Sequence, residues 1–441
     1  MENQLYAGYH KLVVTPPMGV KVPGYFQVRI ADGILTDLNI RAVAFSNAEK
    51  KAIILSCDAI TMSNAAADDI KKLISQRCNV EEGYIFIHCV HSHTAFRILR
   101  PQEEEGALAT FLTWLQTRFA DCAQFAFEDL KPATLRYAVG TAKGVGFIRT
   151  YHMRDGSIKT NPGFSNPDIV KPVSLQDETV QLVRIPREGG KEILLTNFGT
   201  HADVIGGTKF CADWPGYLCD TLEAAFSGQV EAVTLVGAQG NSNHLDFSLP
   251  KGTKYKSVDT AKRMARTIAG EVLKLYDNAR ESQGSAVMAA TTEAIIGKNP
   301  YDPADVPEAE QIKKLYEELK NNTDPVFKTF SMPVHKALRI LRNLSKPEFF
   351  HIPVYGLRLG GIAFVGVPCE PFQYIGSKVR GAGKLDMTVF TCLTNGSNGY
   401  FPDAVTFSLP GSYEGDSSSF APDCAEKMVE AGKKVLEQLE K

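Results

Sequence analysis

Short apolar runs alternate with amphipathic stretches almost throughout the 441 residues. The apolar runs are rich in β-branched residues and bounded by turn residues, the pattern of strands. They predict strands over 41–45, 51–56, 84–89, 179–185, 193–198, 232–236, 287–295, 361–367 and 387–393. Amphipathic spacing predicts helices over 64–77, 107–130, 258–278, 308–321, 335–344 and 423–439. In the last, Ala425, Met428, Val429, Val435, Leu436 and Leu439 make one apolar face, and Pro422 suits its start. Such alternation is that of an α/β protein: mixed β-sheets with flanking helices in a single large domain. Segment 299–347 is more polar and largely helical, either an insertion covering a site or a plain surface excursion.

Five of these strands run straight into polar residues. The run 84–89 leads to His91-Ser92-His93-Thr94, 193–198 to His201, and 232–236 to Gly240-Asn241-Ser242-Asn243-His244. The run 361–367 leads to Cys369-Glu370-Pro371, and 387–393 to Asn395 through Tyr400. Ligands of α/β sheets bind at the carboxyl ends of strands, so five such ends on one edge would gather histidines, a glutamate and a tyrosine. His91 and His93 are two apart; in extended backbone both side chains point the same way. Imidazole plus carboxylate is the usual ligand set of a catalytic zinc, and His201 and Glu370 at matching strand ends strengthen a metal reading. Taken alone, Glu370 caps a helix beginning near Pro371. His88, inside an apolar strand, reads as a satisfied core histidine, and Asp58 as a buried hydrogen-bond partner ahead of a ligand. Arg149 either clamps a substrate oxygen or forms a surface salt bridge.

Charge narrows the classes. With 48 basic and 50 acidic side chains the net charge is −2, which leaves no basic excess for nucleic acid. No run approaches the roughly 20 apolar residues of a membrane helix. The N-terminus shows no signal pattern, so the expected location is cytoplasmic, or secreted if a leader has been removed. Nine scattered cysteines without a CxxC fit reduced, buried thiols.

In their order along the chain, these residues resemble the neutral/alkaline, non-lysosomal ceramidase family of zinc-dependent amidases. Val13-Val14-Thr15-Pro16-Pro17 and Pro23-Gly24-Tyr25 look like its opening motifs, and Val90-His91-Ser92-His93-Thr94 like its T-H-T-H-S. Thr200-His201 with Ala212-Asp213-Trp214-Pro215-Gly216, then Pro368-Cys369-Glu370-Pro371, Gly399-Tyr400 and Tyr413-Glu414-Gly415, look like the motifs that follow. The resemblance spans nearly the whole chain. It implies a zinc ion held by His91, His201, Glu370 and Tyr400. It further implies that His93, Arg149 and Tyr413 surround the scissile amide.

Three departures bear on chemistry. The family's H-S-G-P-G is here His93-Thr94-Ala95-Phe96. Its G-D-x-S-P-N becomes Gly240-Asn241-Ser242-Asn243-His244, which puts Asn243 at the serine position unless the loop shifts to bring in Ser242. Asn243 is then expected to donate a hydrogen bond to the oxyanion. Family members also continue into an immunoglobulin-like domain, which this chain is expected to lack. The expected function is zinc-dependent hydrolysis of an amide C–N bond in a small-molecule or lipid-like N-acyl substrate, by metal-activated water. The alternatives are a zinc hydrolase of other esters, lactones or small amides, and a non-catalytic paralogue.

Overall fold

The computed structural model describes residues 4–319 and 329–441. Three larger sheets share one plan. The first runs Ile85–Cys89, Lys51–Cys57, Asn39–Ser46, Leu5–Val13, Lys131–Ala133, and the second Val230–Val236, Glu192–Phe198, Thr179–Ile185, Leu135–Thr141, Arg280–Ser282. The third runs Val287–Gly297, Phe349–Leu359, Ile362–Gly366, Met387–Thr391. Neighbours are antiparallel except for one parallel pair at an edge of each sheet. These are Lys51–Cys57 with Ile85–Cys89, Glu192–Phe198 with Val230–Val236, and Ile362–Gly366 with Met387–Thr391. A parallel pair needs a crossover. Each has a helix: Asn64–Cys78, Asp213–Ala225 and Gln373–Arg380.

The inner faces of the three sheets pack on one another through Phe45, Phe86, Leu195, Leu235, Leu357 and Phe364. Helices Gly106–Glu128 and Val258–Tyr276 join the first two crossover helices over the outer faces of the first two sheets. Cys424–Leu439 and Gln373–Arg380 cover the third. Burying each large apolar side chain contributes about 1.5–3 kcal/mol, which makes this three-sided core the main source of stability. Segment 299–347 forms helices Val306–Glu318 and Val334–Leu344 with a small core of Ala309, Ile312 and Ile340. The last residues of the helix expected over 308–321 lie outside the described residues. All nine cysteines are buried and unpaired. Among the described residues no helix is long and apolar enough to cross a membrane.

Where sheets meet edge to edge, side chains take over the missing ladder partners. Asn395 accepts from Ile87 N (2.8 Å) and donates to Ile85 O (3.0 Å). Asn197 donates to Leu235 O and Phe390 O, and Gln181 to Thr388 O. Asp58 makes a buried ion pair with Arg41 at 2.9 Å, a structural role as expected.

His88 ties all three sheets. Its Nδ1 lies 2.8 Å from Cys392 O, and its Nε2 accepts from Val236 N at 2.9 Å. Burial lowers its pKa from 6.5 to about 4, so it folds neutral. The unfolded chain binds the extra proton first as pH falls, so this stabilisation is complete above pH 6.5 and lost toward pH 4. Between pH 7.5 and 5 the loss comes to about 2 kcal/mol. His88→Gln keeps a donor and an acceptor without the titration. Its urea midpoint is expected to fall less on acidification than that of the wild type. An unchanged pH dependence would show that His88 does not titrate with folding.

Candidate metal centre and its surroundings

The three parallel pairs deliver their carboxyl ends to one point. The expectation of a single edge is corrected here: the ends come from three sheets, because each sheet contributes its own crossover unit. After Cys89 the chain turns sharply, with Val90 N on Cys57 O, His91 N on Ala59 O, and His91 itself at φ +66°. Left-handed backbone is uncommon away from glycine and collects at functional sites. The turn brings His91 Nδ1 to 2.9 Å from Ile60 O. Beyond Phe198, His201 Nδ1 meets Gln239 O (2.8 Å) and Ser242 O (3.1 Å) from the loop after Val236. Beyond Val367, Glu370–Pro371 pairs with Tyr400–Phe401, placing Glu370 directly beside Tyr400. Glu370 caps no helix; the helix begins at Gln373 with Phe372 at its cap.

These contacts define the protonation pattern. Carbonyl oxygens only accept, so Nδ1 of His91 and His201 carries the proton and each Nε2 presents a lone pair. Both Nε2 atoms face Glu370 Oε2, at 3.2 and 3.3 Å. That oxygen is buried and has no hydrogen-bond partner among the described residues. Three unprotonated acceptors therefore converge, an arrangement that only a cation or an added proton relieves. Burial, then the nearby Arg149, push the His201 pKa down to about 4.

His93 joins the group: its Nε2 is 3.3 Å from His91 Nε2, and ligand atoms of His91, His93 and His201 lie within 4.8 Å of one another. The two rings of the HxH pair meet at 89°, because the backbone turns at His91 instead of running extended. Burial lowers the His93 pKa to about 3. Its approach to the loop carrying Pro23-Gly24-Tyr25 requires glycine: a Cβ on Gly24, at φ +109°, would stand 2.8 Å from His93 Nδ1. Gly240 is demanded in the same way, since a Cβ there would come within 2.5 Å of Glu370 O.

Arg149 is not a surface residue. Its Nε lies 2.6 Å from the fully buried Glu414, its Nη2 donates to Gly240 O (2.6 Å), and its Nη1 is 3.5 Å from His201 Nε2. The guanidinium sits 5.2 Å from the Tyr400 ring centre. Tyr400 stacks toward His201 at 6.3 Å and meets Tyr413 at 5.8 Å. Tyr413 is also packed by Phe26 and by His335 of the 299–347 segment.

Asn243 donates to Asn161 Oδ1 and accepts from Leu245 N, both at 3.0 Å. Ser242 turns to the other side of its short strand, where Oγ binds Gln176 Oε1 (2.9 Å) and Thr200 Oγ1 (3.1 Å). Two residues were not foreseen. Asp203 faces His93 Nδ1 at 4.0 Å while accepting from Tyr25 and Lys256, and Glu414 balances Arg149. The available signals were Asp203's place two residues after His201 and Glu414's place within Tyr-Glu-Gly.

Such a mixed α/β fold, with histidines and a carboxylate converging where three crossover units end, is a defined class. It is the neutral ceramidase fold. The structure of neutral ceramidase from Pseudomonas aeruginosa matches over 99% of this chain and 75% of its own, with TM-score 0.73 and 14% identity. A ceramidase complexed with C2 matches at TM-score 0.71 and 15% identity, again over 99% and 75%. No protein-family model matches the chain, and no curated protein matches it in sequence.

Proposed function

We propose that this protein is a zinc-dependent hydrolase of N-acyl amides. The observation that carries it is the convergence of His91 Nε2, His201 Nε2 and Glu370 Oε2, three lone-pair donors with no proton between them. With Tyr400 beside Glu370, they would hold the ion, and the nitrogen–oxygen donor set suits zinc. When bound, zinc supplies Lewis acidity toward an amide carbonyl and makes water acidic enough to react at neutral pH.

The protein's own groups account for the remainder. Arg149, buried and held by Glu414 and Gly240 O, offers a fixed positive charge to the oxyanion that forms as the carbonyl carbon becomes tetrahedral. Tyr413 offers its hydroxyl from the opposite wall, and Asn243 an amide proton not used by Asn161. His93, with Asp203 behind it, passes a proton to the departing nitrogen as the C–N bond breaks, leaving a carboxylic acid and an amine. The oxygen nucleophile is water, because the Ser242 hydroxyl is buried between Gln176 and Thr200. Ser242→Ala is accordingly expected to keep turnover within about threefold of wild type, against the roughly 100- to 1000-fold loss that follows removal of an oxyanion donor. An acyl group trapped on Ser242 would refute this.

The decisive test is metal analysis of the purified protein with an N-acyl amide panel, before and after chelation. About one zinc per chain, turnover lost on chelation and restored by zinc, is the expected result. One zinc per chain with no turnover of any amide or ester would indicate a binding protein that keeps the centre.

A further inference from the structure

The segment after the histidine turn, where the chain departs most from the resembled family, carries a charge that the mechanism above does not use. Strand Arg97–Ile98 pairs with Thr61–Met62, with Thr61 opposite Arg97. Ile60, next to Thr61, receives His91 Nδ1 through its carbonyl and donates its N–H to Phe96 O. Arg97 is thus one residue from the framework that orients His91. Phe96 and Ile98 on either side are buried, and strand alternation turns Arg97 outward, where it is exposed.

Its guanidinium has no hydrogen-bond or ion-pair partner among the described residues. Other arginines near this end of the chain differ. Arg100, three residues on, grips Asp69 through two nitrogens, and Arg77 and Arg118 both hold Asp121. The carboxylates that act on Arg97 do so through space, Glu370 first and then Glu104. Glu370 is committed to the histidines. An arginine left without a carboxylate at the entrance to a centre already rich in acids (Glu370, Asp203, Glu414) has a clear use. It neutralises an anion brought by the substrate, and its planar fork matches a carboxylate.

We infer that Arg97 is a specificity residue for amide substrates bearing a carboxylate next to the scissile bond, that is, N-acyl amino acids. Because Arg97 lies so close to the Glu370 side of the centre, the anion must sit only a few bonds from the reacting carbon, and a carboxylate one carbon from the amide nitrogen meets that requirement. The inference rests on the amidase reading for its chemistry but is tested by binding.

The experiment titrates the metal-loaded protein with N-dodecanoylglycine and, separately, N-dodecanoylglycinamide, by calorimetry and where possible by turnover. The wild type is expected to bind the carboxylate about 10- to 100-fold more tightly than the carboxamide, the range of a charge-assisted hydrogen bond. Arg97→Gln should remove that preference by weakening the carboxylate alone, seen in turnover as a raised KM with kcat little changed. Arg97→Lys should restore part of it. Equal binding of the two compounds by the wild type overturns the inference, and so does an equal loss for both in Arg97→Gln, which would mark a structural role or direct capture of the carboxylate by the metal. Preferential binding lost in Arg97→Gln, with neither compound hydrolysed, would refute the amidase reading and leave the role of Arg97 standing.

Discussion

His201→Ala is expected to purify without zinc and to lose amide turnover entirely, while folding normally. Removing a hydrogen-bond partner of a metal-ligating histidine already costs roughly 10- to 100-fold in metal affinity or activity. Removing the ligand itself costs more, because His201 supplies one of only three donors other than Tyr400. The fold should survive, since His201 sits in a loop beyond the strands and the core among the three sheets does not include it. Elemental analysis, circular dichroism and turnover on one preparation decide the matter. Full zinc occupancy in a folded variant would remove His201 from the ligand set.

The second large effect concerns the buried ion pair behind the centre. Arg149→Met leaves Glu414 charged and buried, with only the Thr160 and Ser412 hydroxyls (2.8 and 3.1 Å) as further partners. Breaking one side of such a pair typically costs about 3–5 kcal/mol, a large share of a protein's net stability. Turnover is expected to fall at least about 100-fold through loss of the oxyanion's positive partner. The double variant Arg149→Met/Glu414→Gln separates the two roles. It removes the stranded charge, so most of the stability should return in urea unfolding, while kcat/KM stays low. Recovery of both would make Arg149 purely structural.

Strands of the parallel pairs were legible because they are buried on both faces. Lys51–Cys57 and Met387–Thr391 read as nearly continuous apolar runs, the signature of that environment. Leu5–Val13, Leu135–Thr141 and Phe349–Leu359 were missed for the converse reason. They lie in antiparallel neighbourhoods with one face partly open, and residues such as His10, Lys11, Arg136 and His351 interrupt their apolar pattern. Helix Asp213–Ala225 was obscured by Pro215 and Gly216 near its start, although proline is well tolerated in a first turn.

The chain by itself determined which strand ends carry polar side chains, and that one histidine pair, a third histidine and a glutamate stand at such ends. It also marked His88 and Asp58 as core polar groups, since an isolated polar residue within an apolar run must find a partner when buried. Tertiary structure alone decided that the ends belong to three sheets, that Glu370 turns to the imidazoles instead of capping a helix, and that Arg149 is buried against Glu414. Each of these depends on contacts between residues far apart in the chain, 169 to 279 positions for Glu370 with its two histidines. Periodicity reports which face of an element is apolar. It carries no information on which elements share an edge, and hydrogen bonds from Ile60, Gln239 and Ser242 carbonyls, set only once the sheets have docked, turn the two imidazole lone pairs toward one point.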